Sequence, residues 1–302
     1  MNSIKFYHAK PFPIEFHKVR IVQKLHLVPL ERRLAAIREA GFNTFKLSTR
    51  DVFLDMLTDS GTNAMSDKQL SAMMQADDAY AGSQSFEKLL QAVQDVLGKT
   101  FFLPTHQGRA AENVLSRTFI KPGQIVPMNY HFTTALAHIT EVGGKVEELL
   151  YDHALNLQSN HPFKGNIDPE KLESCIQRNG VENIAFIRME ASTNLIGGQP
   201  FSLQNFKEVR KIADKHGIMV VLDASLVGEN AFLIQQREDA WKNKSLGEIL
   251  KAITSLADIV YFSARKLSSS RGGGICTNSK ELYLKMEALI PLFEGFLTYG
   301  GI

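Results

Sequence analysis

Three short polar segments, each at or soon after the end of an apolar stretch, carry the side chains best suited to chemistry. Gln107-Gly108-Arg109 opens a predicted helix. The first N–H groups and the dipole of a helix favour a phosphate, and glycine lets the chain approach it closely. Asp223 ends an apolar strand, where a buried carboxylate needs a cation or a hydrogen-bond donor as its partner. Lys266 follows another strand, and the adjacent cation Arg265 favours the uncharged amine that condenses with a carbonyl.

Each segment also has an ordinary structural interpretation. Gln107-Gly108-Arg109 matches neither GxGxxG nor GxxxxGK[ST] and fits a plain turn. Asp223 fits a helix cap or an ion pair, and Lys266 fits a solvated loop. Their order along one chain favours a pyridoxal-phosphate enzyme instead. That cofactor needs an anion site, a carboxylate for its protonated ring nitrogen and an amine.

The elements that must position these segments alternate between helix and strand. Apolar residues at helical spacing predict helices over 30–40, 86–97, 110–119 and 202–216, and Ser66 with Gln69 forms a capping box before another. Apolar stretches without in/out alternation predict strands over 100–103, 184–187, 218–222, 257–262 and 272–277. Such strands predict an α/β fold with a mostly parallel central sheet covered by helices on both faces. We therefore expect the three segments at the carboxyl edge of that sheet.

Composition excludes several classes of protein. The 302 residues are 44% hydrophobic and 22% charged, which is ordinary for a globular chain. A formal net charge of +2 argues against binding to nucleic acid or a membrane surface. Cys175 and Cys276 make no disulfide framework, and no apolar run approaches the ~20 residues of a membrane span. Since residues 1–10 also lack the apolar core of a secretion signal, we expect a cytoplasmic enzyme.

Longer motifs resemble one family. In chain order, and from about Val28 to the last residue, they resemble motifs of the tyrosine phenol-lyase and tryptophanase family. The resemblance implies a pyridoxal-phosphate enzyme of fold type I that splits an aromatic amino acid into an aromatic leaving group, pyruvate and ammonia. It also implies a homotetramer built from dimers and activation by a monovalent cation. The motifs are Leu57–Gln69, Asp78–Ser83, Pro104–Arg109, Pro162–Asn166, Asn194–Pro200, Glu229–Ala231 and Tyr299–Gly301.

The same resemblance implies a division of the chain. Residues 1–27 form an N-terminal arm, 28–56 part of a small domain, and 57–302 the large cofactor-binding domain. Family chains continue beyond the Tyr299–Gly301 motif. We therefore expect the C-terminal part of the small domain to be missing, and with it the arginine that binds the substrate carboxylate.

The resemblance also implies roles for single residues. Lys266 carries the cofactor covalently and takes the α-proton of the substrate, Asp223 faces the ring nitrogen, and Tyr80 protonates the leaving ring. The other implied cofactor contacts are Gln107, Gly108, Arg109, Phe132, Asn194, Ser263 and Arg265. The implied substrate contacts are Thr58, Ser60, Phe45 and Asn194, and the implied potassium site contains Gly61 and Asp78.

A few positions bear on substrate and activity. Thr133 and the aromatic Phe45 favour tyrosine as the substrate. Tryptophanases tend to carry Asp at the position of Thr133. Leu226 stands where the family has an arginine on the phenolic oxygen of the cofactor, and Arg271 stands where it has a cation-binding asparagine. Three alternatives follow, namely cleavage of tyrosine, cleavage of tryptophan, and a non-catalytic homologue that binds the cofactor or related subunits.

Overall fold

The computed structural model describes residues 26–55, 57, 65–77, 79, 82–268, 270 and 272–295. Contacts within the chain define two compact units, Met1–Asp59 and Ser60–Ile302. Most of the predicted arm, residues 1–25, lies outside the described residues. The domain boundaries expected after residues 27 and 56 stay predictions.

The first unit contains one α-helix in its described part, α1 (Leu30–Glu39). The helix ends one residue before the predicted limit, and Gly41 follows with a φ of 62°, a conformation that glycine adopts without strain. Two short 3₁₀ turns, Thr44–Lys46 and Thr49–Asp51, come next. Arg32 donates to the Asp51 carboxylate at 2.8 Å, which ties the second turn to α1.

A seven-stranded sheet forms the centre of the second unit. The strands are β1 (Phe101–Thr105), β2 (Ile125–Met128), β3 (Lys145–Glu148), β4 (Ile187–Glu190), β5 (Val220–Asp223), β6 (Ile259–Ser263) and β7 (Gly273–Thr277). Their order in the sheet is β1-β7-β6-β5-β4-β2-β3, with β7 antiparallel to both of its neighbours and the other pairs parallel. The prediction of a mostly parallel sheet is therefore confirmed.

Eleven further helices are described in this unit. Several begin at a serine whose side chain accepts a backbone N–H of the first turn, as Ser66 does from Gln69 at 3.0 Å. Among the described residues, no helix is both long and apolar enough to cross a membrane. The helices are α2 (Asp67–Met74), α3 (Gln84–Leu97), α4 (Gly108–Phe119), α5 (Thr133–Glu141), α6 (Pro169–Asn179), α7 (Leu203–His216), α8 (Val227–Arg237), α9 (Leu246–Ser255), α10 (Ala264–Ser268), α11 (Lys280–Glu287) and α12 (Leu289–Phe293).

Both faces of the sheet are buried against helices. Ile187 and Met189 of β4 pack with α3 and α6 to α9 on one face. Val221 and Ile259 pack with α4, α5 and α11 on the other face. Because apolar neighbours lie on both sides, strands β5 and β6 are nearly continuous apolar runs without alternation of apolar and polar residues. The expectation of helices on both faces is confirmed.

Strand β4 differs from its predicted position. The sequence predicts a strand over 184–187, whereas the observed strand runs over Ile187–Glu190. A 3₁₀ turn, Val181–Asn183, precedes it in the chain. The prediction stopped early because Arg188 and Glu190 are charged, whereas both side chains are buried in the structure. Their burial is explained by the partners described below.

Candidate functional site

The polar segments identified in the sequence meet at the carboxyl edge of the sheet. Ser263 ends β6 and donates its backbone N–H to Ser225 Oγ, two residues beyond Asp223, at 3.1 Å. Gly108, the first residue of α4, lies directly against Ser263. A Cβ placed at Gly108 would be 3.0 Å from the Ser263 Cβ. These contacts join the ends of β5 and β6 to the N-terminus of α4.

The N-terminus of α4 is closely packed from the other side as well. Gln107 precedes the helix in an extended conformation, and its carbonyl accepts the Thr105 hydroxyl at 3.0 Å. A Cβ at Gly273 would lie 2.7 Å from the Gln107 carbonyl carbon and 2.8 Å from the Gly108 nitrogen, so only glycine fits there. The first N–H groups of a helix have no partner within the helix and favour an anion. Arg109, in the first turn, is exposed at the surface.

Lys266 lies in the short helix α10, which follows β6 directly. Its side chain is half-buried, and Nζ is 5.0 Å from the centre of the Phe132 ring. Phe132 is the residue before α5. The structure therefore brings an amine and an aromatic face together. Arg265 is exposed in the same turn of α10.

Asp223 is buried in an ion pair. Its Oδ2 accepts from Arg188 Nη2 at 2.7 Å and from the Tyr261 hydroxyl at 2.9 Å. Its Oδ1 accepts from the Ser225 N–H at 3.0 Å. The ion pair considered from the sequence is therefore present, and it fixes the direction in which the carboxylate points.

The ion pair belongs to a larger group of buried side chains, which we call the carboxylate cluster: Glu112, Arg188, Glu190, Asp223 and Tyr261. Glu190, Asp223 and Tyr261 are in register on three adjacent strands. Arg188 also donates to Glu190 at 3.0 Å, and the Tyr261 hydroxyl lies 3.3 Å from Glu112. Burial raises the pKa of Glu112 to about 7 and also raises the pKa of Glu190.

Sequence reasoning identified Asp223 but missed the other four members of the cluster. A signal for two of them is present, because Arg188 and Glu190 are two residues apart in an otherwise apolar stretch. In a strand that spacing places both side chains on one face. Charged residues in a buried strand need partners. Glu112 and Tyr261 carry no comparable signal, since each sits within an ordinary helix or strand pattern.

Asn194 is linked to the same cluster. It begins a 3₁₀ turn, Asn194–Ile196, and its backbone N–H donates to Glu190 Oε1 at 2.9 Å. Arg188 donates to both Glu190 and Asp223, and Glu190 accepts from Asn194. One guanidinium therefore links Asp223 and Asn194, two of the predicted cofactor contacts. Leu226 directly precedes α8 and makes no capping hydrogen bond.

The other predicted residues lie either in the first unit or outside the described residues. Phe45 lies in the turn Thr44–Lys46 of the first unit and is 75% exposed there. Within the described part of the chain, no three His, Cys, Asp or Glu residues are grouped to hold a metal ion. Six predicted or discussed positions lie outside the described residues: Thr58, Ser60, Gly61, Asp78, Tyr80 and Arg271.

Comparison with known proteins gives consistent matches. A family model described as "Beta-eliminating lyase" matches residues 55–297. A tyrosine phenol-lyase of Symbiobacterium sp. (strain SC-1) is 44% identical over 289 residues, which cover 95% of this chain and 63% of the relative. The enzyme of that name from Fusobacterium nucleatum subsp. nucleatum is 42% identical, with 96% and 64% covered. This chain thus spans just under two thirds of the length of these relatives.

Solved structures share the fold at low sequence identity. Leishmania major threonine aldolase superposes with a TM-score of 0.61 at 16% identity, covering 81% of this chain and 68% of that one. A structure described as "SPT with PLP", of a variant chain, gives a TM-score of 0.53 at 16% identity, covering 77% and 54%. At these identities the likeness shows the fold alone.

Proposed function

The chain belongs to the beta-eliminating lyase family, and from this premise we propose that it is a pyridoxal-phosphate-dependent carbon–carbon lyase that cleaves tyrosine to phenol, pyruvate and ammonia. Curated relatives named tyrosine phenol-lyase are 41–44% identical to it. The observation that carries the proposal is the junction at the carboxyl edge of the sheet, where Gly108 and Ser225 both contact Ser263.

The described residues fit pyridoxal phosphate in their chemistry. The N-terminus of α4 offers donors to a phosphate, and the two close approaches at Gly108 and Gly273 leave no room for side chains there. Asp223 Oδ1 accepts one hydrogen bond from Ser225, and a carboxylate oxygen has capacity for a second. The residues that hold the cofactor in this proposal are Gln107, Gly108, Arg109, Phe132, Asn194, Asp223, Ser263, Arg265 and Lys266.

The chain's own groups then move protons around a bound substrate. Pyridoxal phosphate, when bound, supplies the electron sink that stabilises the carbanion left by loss of the α-proton. Lys266 takes that proton as general base. Asp223, held by Arg188, keeps the ring nitrogen protonated. Tyr80 delivers the proton that the leaving ring needs before it departs.

Substrate and assembly are part of the same proposal. Thr133 and Phe45 favour tyrosine, with Thr58, Ser60 and Asn194 holding its amino acid end. The proposal also includes a potassium ion at Gly61 and Asp78, assembly into a homo-oligomer and a cytoplasmic location. Cleavage of tryptophan to indole uses the same chemistry and is the alternative. Leu226, which has no donor for the cofactor, favours the second alternative of a non-catalytic homologue.

Product analysis distinguishes these functions. The purified chain is incubated with pyridoxal phosphate and either L-tyrosine or L-tryptophan, and pyruvate, phenol and indole are measured by chromatography. We expect phenol and pyruvate in equal amounts from tyrosine, and neither product with the Lys266→Ala variant. Faster release of indole identifies the tryptophan enzyme. Cofactor binding without any product identifies the non-catalytic homologue.

A further inference from the structure

The carboxylate cluster carries an unbalanced buried charge. It contains one guanidinium, that of Arg188, and three carboxyl groups, those of Glu112, Glu190 and Asp223. Their residues are between 2% and 6% exposed. Counting Glu190 and Asp223 as ionised, the cluster has a formal charge of −1 when Glu112 is protonated and −2 when Glu112 is ionised. Uncompensated charge in a protein interior is costly, so the cluster favours a cation that reaches Asp223.

Tyr261 connects Glu112 to Asp223 through one hydrogen atom. Its hydroxyl lies 2.9 Å from Asp223 Oδ2 and 3.3 Å from Glu112 Oε1, and it accepts from Arg188 Nε at 2.9 Å. A hydroxyl has one hydrogen to donate. While Glu112 is protonated, that hydrogen goes to Asp223. Once Glu112 is ionised, two carboxylates compete for it, and Asp223 becomes the stronger acceptor for any other donor.

We propose that Glu112 is a positioning residue whose charge sets, through Tyr261, how strongly Asp223 holds a protonated ring nitrogen, so that affinity for pyridoxal phosphate rises as Glu112 loses its proton. This inference rests on the proposed function, in which Asp223 faces that nitrogen. It assigns a role to a residue that reaches Asp223 through the Tyr261 hydroxyl. The proton released by Glu112 passes to solvent.

The groups around Glu112 support such a titration. Thr134 of α5 donates to Glu112 Oε2 at 2.5 Å, and Tyr261 of β6 lies at the other oxygen. The charged groups that face it are Arg188 and Glu190 of β4 and Asp223 of β5. Burial raises the pKa of Glu112 to about 7. The carboxyl group therefore changes charge in the neutral pH range.

The test compares cofactor affinity across pH. Pyridoxal phosphate is titrated into the full chain and into the Glu112→Gln variant between pH 6 and 8, and the dissociation constants are measured by absorbance. Dividing the constant of the variant by that of the wild type cancels the cofactor's own titration. We expect this ratio to rise about tenfold over the interval, the factor that corresponds to one pKa unit of coupling. Calorimetry in two buffers should show that the wild type releases more protons on binding than the variant does.

Further variants separate the possible outcomes. Tyr261→Phe keeps the ring and removes the connecting hydroxyl, so it should reduce the same pH dependence and provides a test if Glu112→Gln does not fold. Glu238→Gln is the matched control, because burial also raises the pKa of Glu238 while its carboxylate accepts from Leu203 at the start of α7. A ratio that stays constant with pH overturns this inference alone. A wild type that binds no pyridoxal phosphate at any pH overturns the proposed function and this inference together.

Discussion

Arg188 lies between two carboxylates in the interior, at 2.7 Å from Asp223 and 3.0 Å from Glu190. Replacing it with methionine keeps most of the volume but leaves both carboxylates without their cation. Breaking a buried ion pair from one side costs about 3–5 kcal/mol. We expect Arg188→Met to lower the free energy of unfolding by that amount, measured by urea denaturation.

A surface arginine provides the control for that variant. Arg178 pairs with Glu147, but its side chain is 60% exposed. Exposed ion pairs contribute about 1 kcal/mol or less. Arg178→Gln should therefore change stability little. Equal losses in the two variants would contradict the role given to the buried cluster.

Glu112 makes stability depend on pH in a defined direction. Its pKa is about 7 in the folded chain against an ordinary value of 4.5, so the folded state binds the proton more tightly than the unfolded state does. This contribution is complete below about pH 4.5 and is lost as the pH rises through 7. It amounts to roughly 3 kcal/mol, since each pKa unit corresponds to about 1.4 kcal/mol.

The measurement is urea unfolding of the wild type and of Glu112→Gln at pH 5 and pH 8. The wild type should lose stability relative to the variant between these two values, because glutamine does not titrate. Subtracting the two curves removes the contribution of every other group. Parallel curves would show that the Glu112 carboxyl titrates normally.

The contact between helix α4 and strand β6 requires that Gly108 has no side chain. A Cβ at Gly108 would lie 3.0 Å from the Ser263 Cβ and 3.2 Å from its backbone. Gly108→Ala should push the N-terminus of α4 away from β6, at a cost of about 1–3 kcal/mol, and weaken the binding of pyridoxal phosphate. Urea unfolding and absorbance titration measure the two effects.

Another helix glycine is the matched control. Gly247 of α9 is exposed, and a Cβ there meets no atom within 4 Å. Gly247→Ala should raise stability by about 0.4–1 kcal/mol, because alanine reduces the freedom of the unfolded chain. If Gly108→Ala were equally harmless, the close packing of α4 on β6 would not matter for the site.

The elements that the sequence predicted well are those with a strong local signal. Helix α7 runs between Ser202 and Gly217, which cap its two ends, and β5 is a continuous apolar run closed by Asp223. Strand β3 was not predicted, because Lys145 and two glutamates give its four residues no apolar pattern. Its place at the edge of the sheet explains how a charged sequence forms a strand there.

In the site too, features with a local sequence signal could be predicted, and contacts between distant residues could not. Asp223 ends a strand, and Gly108 and Lys266 come soon after one, so their position at one edge could be predicted from the order of elements. The pairing of Arg188 with Asp223 joins residues 35 positions apart and depends on the register of β4 with β5. The continuous apolar run of β5 does not specify that register, so this partner emerged only from the structure.

The described residues that fit a cofactor all belong to the second unit, Ser60–Ile302. The chain covers 63% of the length of the Symbiobacterium sp. enzyme named tyrosine phenol-lyase. In the proposed function, cofactor binding and turnover are therefore separate properties. We propose that the first depends on described residues at the carboxyl edge of the sheet, and that the second also needs Tyr80, which lies outside the described residues.

Covalent trapping of the cofactor shows whether pyridoxal phosphate binds at the carboxyl edge of the sheet. The purified chain is mixed with pyridoxal phosphate, reduced with borohydride, digested, and mapped by mass spectrometry to find the modified lysine. The arrangement of Lys266 beside Phe132, with Ser263 against Gly108, predicts one stoichiometric adduct on Lys266 and its loss in Lys266→Ala. Label distributed over surface lysines such as Lys280, at equal levels in that variant, would contradict a cofactor site at this edge of the sheet.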